Sequence, residues 1–264
     1  RCLAYAATFD LPVIIEPSDA WLSKTGCVHE GVIAARLGLP GVPEATETSE
    51  IARVIALAEA VGARVHFGRL SSGAGADLVR RARQRGVKVS ADVCIHQLFL
   101  TEHDVLGFNS ACHVNPPLRT MTDRDALRFA VADGTISAIC SDHQPHDFDA
   151  KDNPFVETEP GISGFETLLP LTLRLVEDGI LDLNTAISRL TNGPASLLSI
   201  VAGSIHVGAR ADLCIVDLEQ PWRVDPAAFL SAGKNTPFAN WDFNARVVHT
   251  IFEGLSVYQL EPSA

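Results

Sequence analysis

The segment Cys140-Ser141-Asp142-His143-Gln144-Pro145-His146 gathers a carboxylate and two imidazoles directly after a short β-type run, Thr135-Ile136-Ser137-Ala138-Ile139. An Asp at the carboxyl end of a barrel strand is where a metal-assisted hydrolase keeps its proton-handling carboxylate. Such chemistry needs imidazole or carboxylate ligands on neighbouring strands. The histidines near other strand ends are His66, His96 and His113. His96 and His113 follow strand-like runs as pocket-lining or packed loop residues. Gly73-Ala74-Gly75 lacks the Gly-Lys-Ser/Thr ending of a phosphate loop and the spacing of a dinucleotide fingerprint.

The elements that must position these groups alternate between strand and helix. Leu11 to Ile15, Ala63 to Phe67, Val87 to Val93 and Ile136 to Ile139 read as four buried parallel strands. Between and after them, Ile51 to Val61 reads as a helix with its N-cap in Thr48-Ser49-Glu50. Ala76 to Arg85, ended by Gly86, and Thr122 to Ala132 read as two more. Phe165 to Glu177 and Leu183 to Leu190 add a further pair. Repeated β-α units imply a parallel sheet, either half of a (β/α)₈ barrel or a small doubly wound sheet. After about Val201 the pattern turns β-rich. Gly203-Ser204-Ile205 and Gly208 to Asp217 read as a turn and a strand, and Arg246 to Phe252 and Leu255 to Tyr258 flank a hairpin turn at Glu253-Gly254. The expected division is 1–200 for the barrel part and 201–264 for a small β-domain.

The chain has 264 residues, 47% of them hydrophobic, enough for a substantial core. A net charge of −11 speaks against nucleic acid or an anionic membrane as partner. No run approaches the length of a membrane-spanning helix. The six scattered cysteines form no C-x-x-C pair and suit free thiols in a reducing cytoplasm. The opening residues, Arg1-Cys2-Leu3-Ala4, lack a signal-peptide pattern, and the chain reads as starting inside a longer protein.

Several motifs stand in order: Asn115-Pro116-Pro117-Leu118-Arg119, Ser141 to His146, Lys151-Asp152-Asn153-Pro154-Phe155, Glu159-Pro160-Gly161-Ile162-Ser163-Gly164 and Glu166-Thr167. Gly208-Ala209-Arg210-Ala211-Asp212-Leu213 and Gly233-Lys234-Asn235-Thr236-Pro237-Phe238 complete the series. Together they resemble the dihydroorotases of the amidohydrolase superfamily over nearly the whole chain. The resemblance implies an α/β fold: the carboxyl-terminal half of a (β/α)₈ amidohydrolase barrel, strands five to eight, plus a small β-domain. It also implies a parent protein about 150 residues longer. The reaction implied is reversible cyclisation of N-carbamoyl-aspartate to dihydroorotate by a zinc-bound hydroxide. Its ligands are a His-x-His pair on the first strand, a carboxylate or modified Lys on the fourth, a His on each of the fifth and sixth, and an Asp on the eighth.

Carried over by position, Asp142 matches the eighth-strand Asp, and Asn115, His146, Pro160 and Gly161 match the substrate-side loops. Glu16 stands where the family has the fifth-strand His, and Arg69 where it has the sixth-strand His. Glu16 can still offer oxygen to zinc. Arg69 cannot, because guanidinium has only donors and a permanent positive charge. Losing even a supporting partner of a metal ligand costs roughly 10–100-fold, so no competent zinc centre is expected. Arg69 should instead pair with Asp142, Glu16 or both. Strand alternation puts His66 on the face opposite Arg69, as a core residue rather than a ligand.

The resemblance then points to an inactive dihydroorotase-like structural subunit of a bacterial aspartate carbamoyltransferase assembly, without cofactor. It would be a cytoplasmic hetero-oligomer partner of the catalytic subunit, with residual dihydroorotate or carbamoyl-aspartate binding left open. The alternative is an active, zinc-dependent dihydroorotase using Asp142 and Glu16 as oxygen ligands. A third reading is a small-molecule sensor that keeps the loops of Asn115, His146 and Gly161.

Overall fold

The computed structural model describes residues 1–261. From the amino end run α1 (Cys2–Thr8), β1 (Pro12–Ile15), α2 (Ala20–Ser23), β2 (Val28–His29), α3 (Val32–Leu37) and β3 (Gly41–Val42). Then come α4 (Ala45–Val61), β4 (Arg64–Leu70), α5 (Gly73–Gln84), β5 (Val89–Cys94), α6 (Met121–Ala132) and β6 (Ala138–Cys140). Helices α7 (Phe165–Glu177), α8 (Leu183–Leu190) and α9 (Asn192–Leu198) follow. The remaining strands are β7 (Leu213–Asp217), β8 (Trp222–Arg223), β9 (Asp242–Phe243), β10 (Arg246–Phe252) and β11 (Leu255–Gln259). No helix among the described residues is long and apolar enough to cross a membrane.

The principal sheet has four parallel strands in the order β1-β4-β5-β6. Strand order never reverses, so right-handed crossovers place every connecting helix on the same face. A doubly wound sheet would need a reversal point. The order is that of a barrel segment. On the helix face, Val65, Phe67, Leu70, Val89, Ala91 and Val93 pack with Ile51, Val79, Leu127 and Val131 in one core. Each of these side chains larger than alanine contributes roughly 1.5–3 kcal/mol on burial. On the other face Ile14 is exposed, and β4 and β5 present His66, Ser90 and Asp92.

The β-rich tail forms an antiparallel sheet in the order β11-β10-β7. Its hairpin turns at Glu253-Gly254, both with positive φ, as a tight two-residue hairpin requires. Its first strand is shorter than the sequence suggests, because the chain is still turning through Gly208 and first pairs at Leu213. The short pair β8–β9 and helix α9 have no counterpart in the sequence reading. Pro194 there mimics a turn signal but sits in the first helical turn, where its missing N–H costs nothing.

Helix α4 starts at Ala45, ahead of the Thr48-Ser49-Glu50 cap read from the sequence. The extra turn places Glu47, 2% exposed, against the end of β4. Its carboxylate accepts from Ser71 N (2.8 Å), Ser71 Oγ (2.5 Å), Ser72 N (3.1 Å) and Ser72 Oγ (2.6 Å). Buried Arg119 donates from Nε to Ser71 Oγ at 2.7 Å and shares a contact with His29 Nδ1. Ser72 caps α5 by accepting from Gly75 N at 3.0 Å. A Cβ on Gly75 would lie 2.3 Å from Glu47 Oε1, so this glycine serves close approach and not phosphate binding. Glu47→Ala strands four donors in a dry site, and we expect urea denaturation to show a loss of roughly 2–4 kcal/mol, with Glu47→Gln losing less.

Candidate functional site

The site lies at the carboxyl ends of the parallel strands. Arg69, near the end of β4, has φ of +58, and the β4–β5 register slips between Phe67 and Leu70. This left-handed residue is costly for a side chain with a Cβ. It is held by Asp92, whose Oδ1 accepts from Arg69 N at 2.7 Å. The other oxygen of Asp92 meets His66 Nε2 at 2.8 Å, and His66 Nδ1 meets Ser90 Oγ at 2.8 Å. The placement of His66 opposite Arg69 therefore does not hold. Alternation fails where φ turns positive, and both residues converge on one carboxylate.

The guanidinium closes the site. Its Nη1 donates to Asp142 Oδ1 at 3.0 Å and to Asn115 O at 3.2 Å, and its Nη2 pairs with Glu16 Oε2. Burial alone would lower the Arg69 pKa, but the Asp142 and Glu16 charges outweigh it and raise it. Three strands, β1, β4 and β6, are thus tied at their ends by one cation. Gln144 Nε2 adds a second donor to Asp142 Oδ1 at 2.9 Å.

The loop residues singled out from sequence form a second group. His146 N donates to Asn235 Oδ1 at 2.8 Å, while its Nε2 lies 3.0 Å from Pro160 O. Asn235 Nδ2 reaches Gln144 O and Gly161 O, each at 3.0 Å. Gly161 has φ of +138, and a Cβ there would lie 2.5 Å from Gln144 Cβ. Gln144 is the link between this group and Asp142. Asn115 sits with the first group through its carbonyl, and lines a hollow with Pro160 and His113.

Sequence reasoning left two cysteines out of the site and one histidine undecided. Cys94 and Cys140 face each other in register, with Sγ atoms 3.8 Å apart. His96, read from the sequence as a pocket-lining or packed loop residue, is 1% exposed, and neither ring nitrogen has a hydrogen-bond partner among the described residues. Burial, assisted by the Arg69 charge and opposed by that of Asp142, pushes its pKa down to about 4. The signal was present as matched spacing, Cys94-x-His96 and Cys140-x-Asp142, on strands whose adjacency the sequence left unstated.

Two predictions follow from this geometry. Arg69→Met leaves Asp142 and Glu16 facing one another without a cation. Chemical denaturation should show a loss of about 2 kcal/mol, discounted for partial exposure. Adding Asp142→Asn should recover part of it, since the uncompensated charge is then gone. The second concerns His113, whose ring meets Thr158 Oγ1 at 2.7 Å. Burial, then the Lys151 charge, pushes its pKa down to about 4. The unfolded chain takes up this proton first. Its contribution is therefore complete above about pH 6.5 and is lost as pH falls toward 4. His113→Gln should flatten that acid slope in thermal melts taken across the window.

Comparison with known proteins agrees with this architecture. The amidohydrolase family model matches residues 45–257, and the dihydro-orotase-like model matches residues 2–74. A dihydroorotase-like protein of Pseudomonas aeruginosa is 48% identical over 96% of this chain and 60% of its own length. A protein named dihydroorotase from Syntrophotalea carbinolica is 44% identical over 98% of this chain and 61% of its own. The chain thus spans about three-fifths of these relatives. Among solved structures, a D-hydantoinase superposes with a TM-score of 0.85 at 24% identity, over 97% of this chain and 59% of that one. The dihydropyrimidinase of Brevibacillus agri gives 0.86 at 21%, over 98% and 59%. These last two show the fold, and the open four-stranded sheet is a segment of such a barrel. On the extent and identity of its sequence matches, the chain belongs to the dihydroorotase family of the amidohydrolase superfamily.

Proposed function

We propose that the protein is a dihydroorotase relative of pyrimidine biosynthesis that lacks the family's metal-dependent catalysis. In this reading it serves as a structural subunit for aspartate carbamoyltransferase. The observation that carries the loss of catalysis is the Arg69 guanidinium seated between Glu16 and Asp142. Its Nη1 donates to the Asp142 oxygen at 3.0 Å, so a cation already stands where the family's zinc would need an imidazole. These residues do not fit the family's zinc. Asp142, paired with Arg69 and Gln144, is not free to take a proton from a substrate or water. The carbamoyltransferase partner rests on the subfamily that the motifs resemble. Dihydroorotate or carbamoyl-aspartate is the ligand class we assign to the Asn115, His146 and Pro160-Gly161 loops, as binding without turnover.

A second reading, an active zinc-dependent dihydroorotase, is favoured by the name of the Syntrophotalea relative. The two separate in one experiment. The full-length protein, purified with zinc present, is assayed for dihydroorotase turnover in both directions, alone and with aspartate carbamoyltransferase. We expect no turnover in either state, and co-purification with the carbamoyltransferase catalytic chain. Turnover that is lost on chelation would establish the enzyme and make Glu16 a ligand. Absence of any association would remove the structural role.

A further inference from the structure

Beside the Arg69 clasp lies a donor cluster of which the dihydroorotase reading uses only Asp142. Cys94 and Cys140 end adjacent parallel strands at one register position. Two residues beyond each come His96 and Asp142. One donor atom from each of Cys94, His96 and Asp142 lies within 4.8 Å of the others. Cys140 Sγ is 3.8 Å from Cys94 Sγ.

The imidazole is the telling member. Its two ring nitrogens are buried and lack partners among the described residues. Leaving such a group unsatisfied costs about 1–3 kcal/mol, and native proteins rarely tolerate it without a ligand or a role. Asp142 has capacity to share: Arg69 and Gln144 both donate to Oδ1, and Oδ2 accepts from no group among the described residues.

We propose that Cys94, His96 and Asp142 bind a single Zn²⁺ ion, with a water molecule as the fourth ligand. Sulfur, imidazole nitrogen and carboxylate oxygen together suit zinc, whereas magnesium and calcium reject the thiolate. Cys140 lies outside this set; its Sγ donates to Asp92 Oδ1 at 3.4 Å. On binding, the Cys94 S–H bond breaks, its proton passes to solvent, and the sulfur lone pair forms the Zn–S bond. One thiolate and one carboxylate neutralise the ion, and Glu16 remains to balance the Arg69 guanidinium. The donor set takes nothing from β1 or β4 and shares only Asp142 with the family's imidazole-rich centre.

The test is zinc and cobalt titration of metal-stripped full-length protein. We expect one zinc per chain to survive dialysis, and Co²⁺ loading to give an intense near-ultraviolet thiolate-to-cobalt band. Cys94→Ser should abolish the band and weaken zinc binding by roughly 100-fold or more, and His96→Gln by at least about 10-fold. His96→Gln is the milder change to the packing and keeps the test valid should Cys94→Ser fail to fold. Three outcomes would overturn the site: no stoichiometric zinc, zinc that persists unchanged in both variants, or a Cys94–Cys140 disulfide detected by mass spectrometry in its place. None of these readouts depends on dihydroorotase turnover, so the site and the proposed function fail separately.

Discussion

Among the described residues the Arg69 guanidinium is the one cation joining three strand ends, and the open end of the sheet is organised around it. Glu16 follows β1, Asp142 follows β6, and Arg69 itself ends β4. Two carboxylates brought this close repel one another, and a carboxylate removed from water without a partner costs several kcal/mol. A planar guanidinium spans them with separate nitrogens, which a lysine ammonium could not do with the same geometry. The backbone that carries it is fixed on both sides. Asp92, itself oriented by His66, grips the left-handed residue, and Glu47 with Arg119 grips Ser71 and Ser72 just beyond. The strain at Arg69 is thus held by buried polar groups from α4, β5 and the loop before α6.

A hydrolase of this fold places a metal ion at the strand ends to polarise an amide and activate water. Here a permanently protonated side chain provides positive charge at the same ends. It balances the acidic groups but cannot accept a water ligand or polarise a carbonyl as a Lewis acid does. The strand ends keep their electrostatic balance with a cation that is no electrophile toward an amide. The loops of His146, Pro160 and Gly161 are ordered by Asn235 and joined to Asp142 through Gln144. Loop order alone is therefore no sign of catalysis.

Much of this was legible in the sequence where local pattern and packing agree. Helices α7 and α8 and strand β10 fall at the expected residues. The pairing of Arg69 with Glu16 and Asp142 follows from charge alone once the strand ends are brought together. The misreadings share one cause. Helix α4 gains a turn because Glu47 bonds to serines across the sheet end. His66 joins Arg69 on one carboxylate because a single positive φ cancels the alternation. Contacts between residues far apart in sequence decided each case, and no local window contains them.

The same reasoning explains why the open face of β5 is polar rather than packed with the branched apolar layers usual inside barrels. Ser90, Asp92 and Cys94 occupy every second position, and each meets a partner on a neighbouring strand: His66, then His66 and Arg69 N, then Cys140. Such a column binds the sheet only in one register. A slip of one residue would send all three side chains into the apolar helix face, where burial without partners is expensive. Hydrophobic residues on that face would tolerate the slip better, since one apolar contact replaces another. The polar column therefore gives the strand pairing its specificity, and it brings Cys94 opposite Cys140 by the same register that seats Arg69 against Asp142.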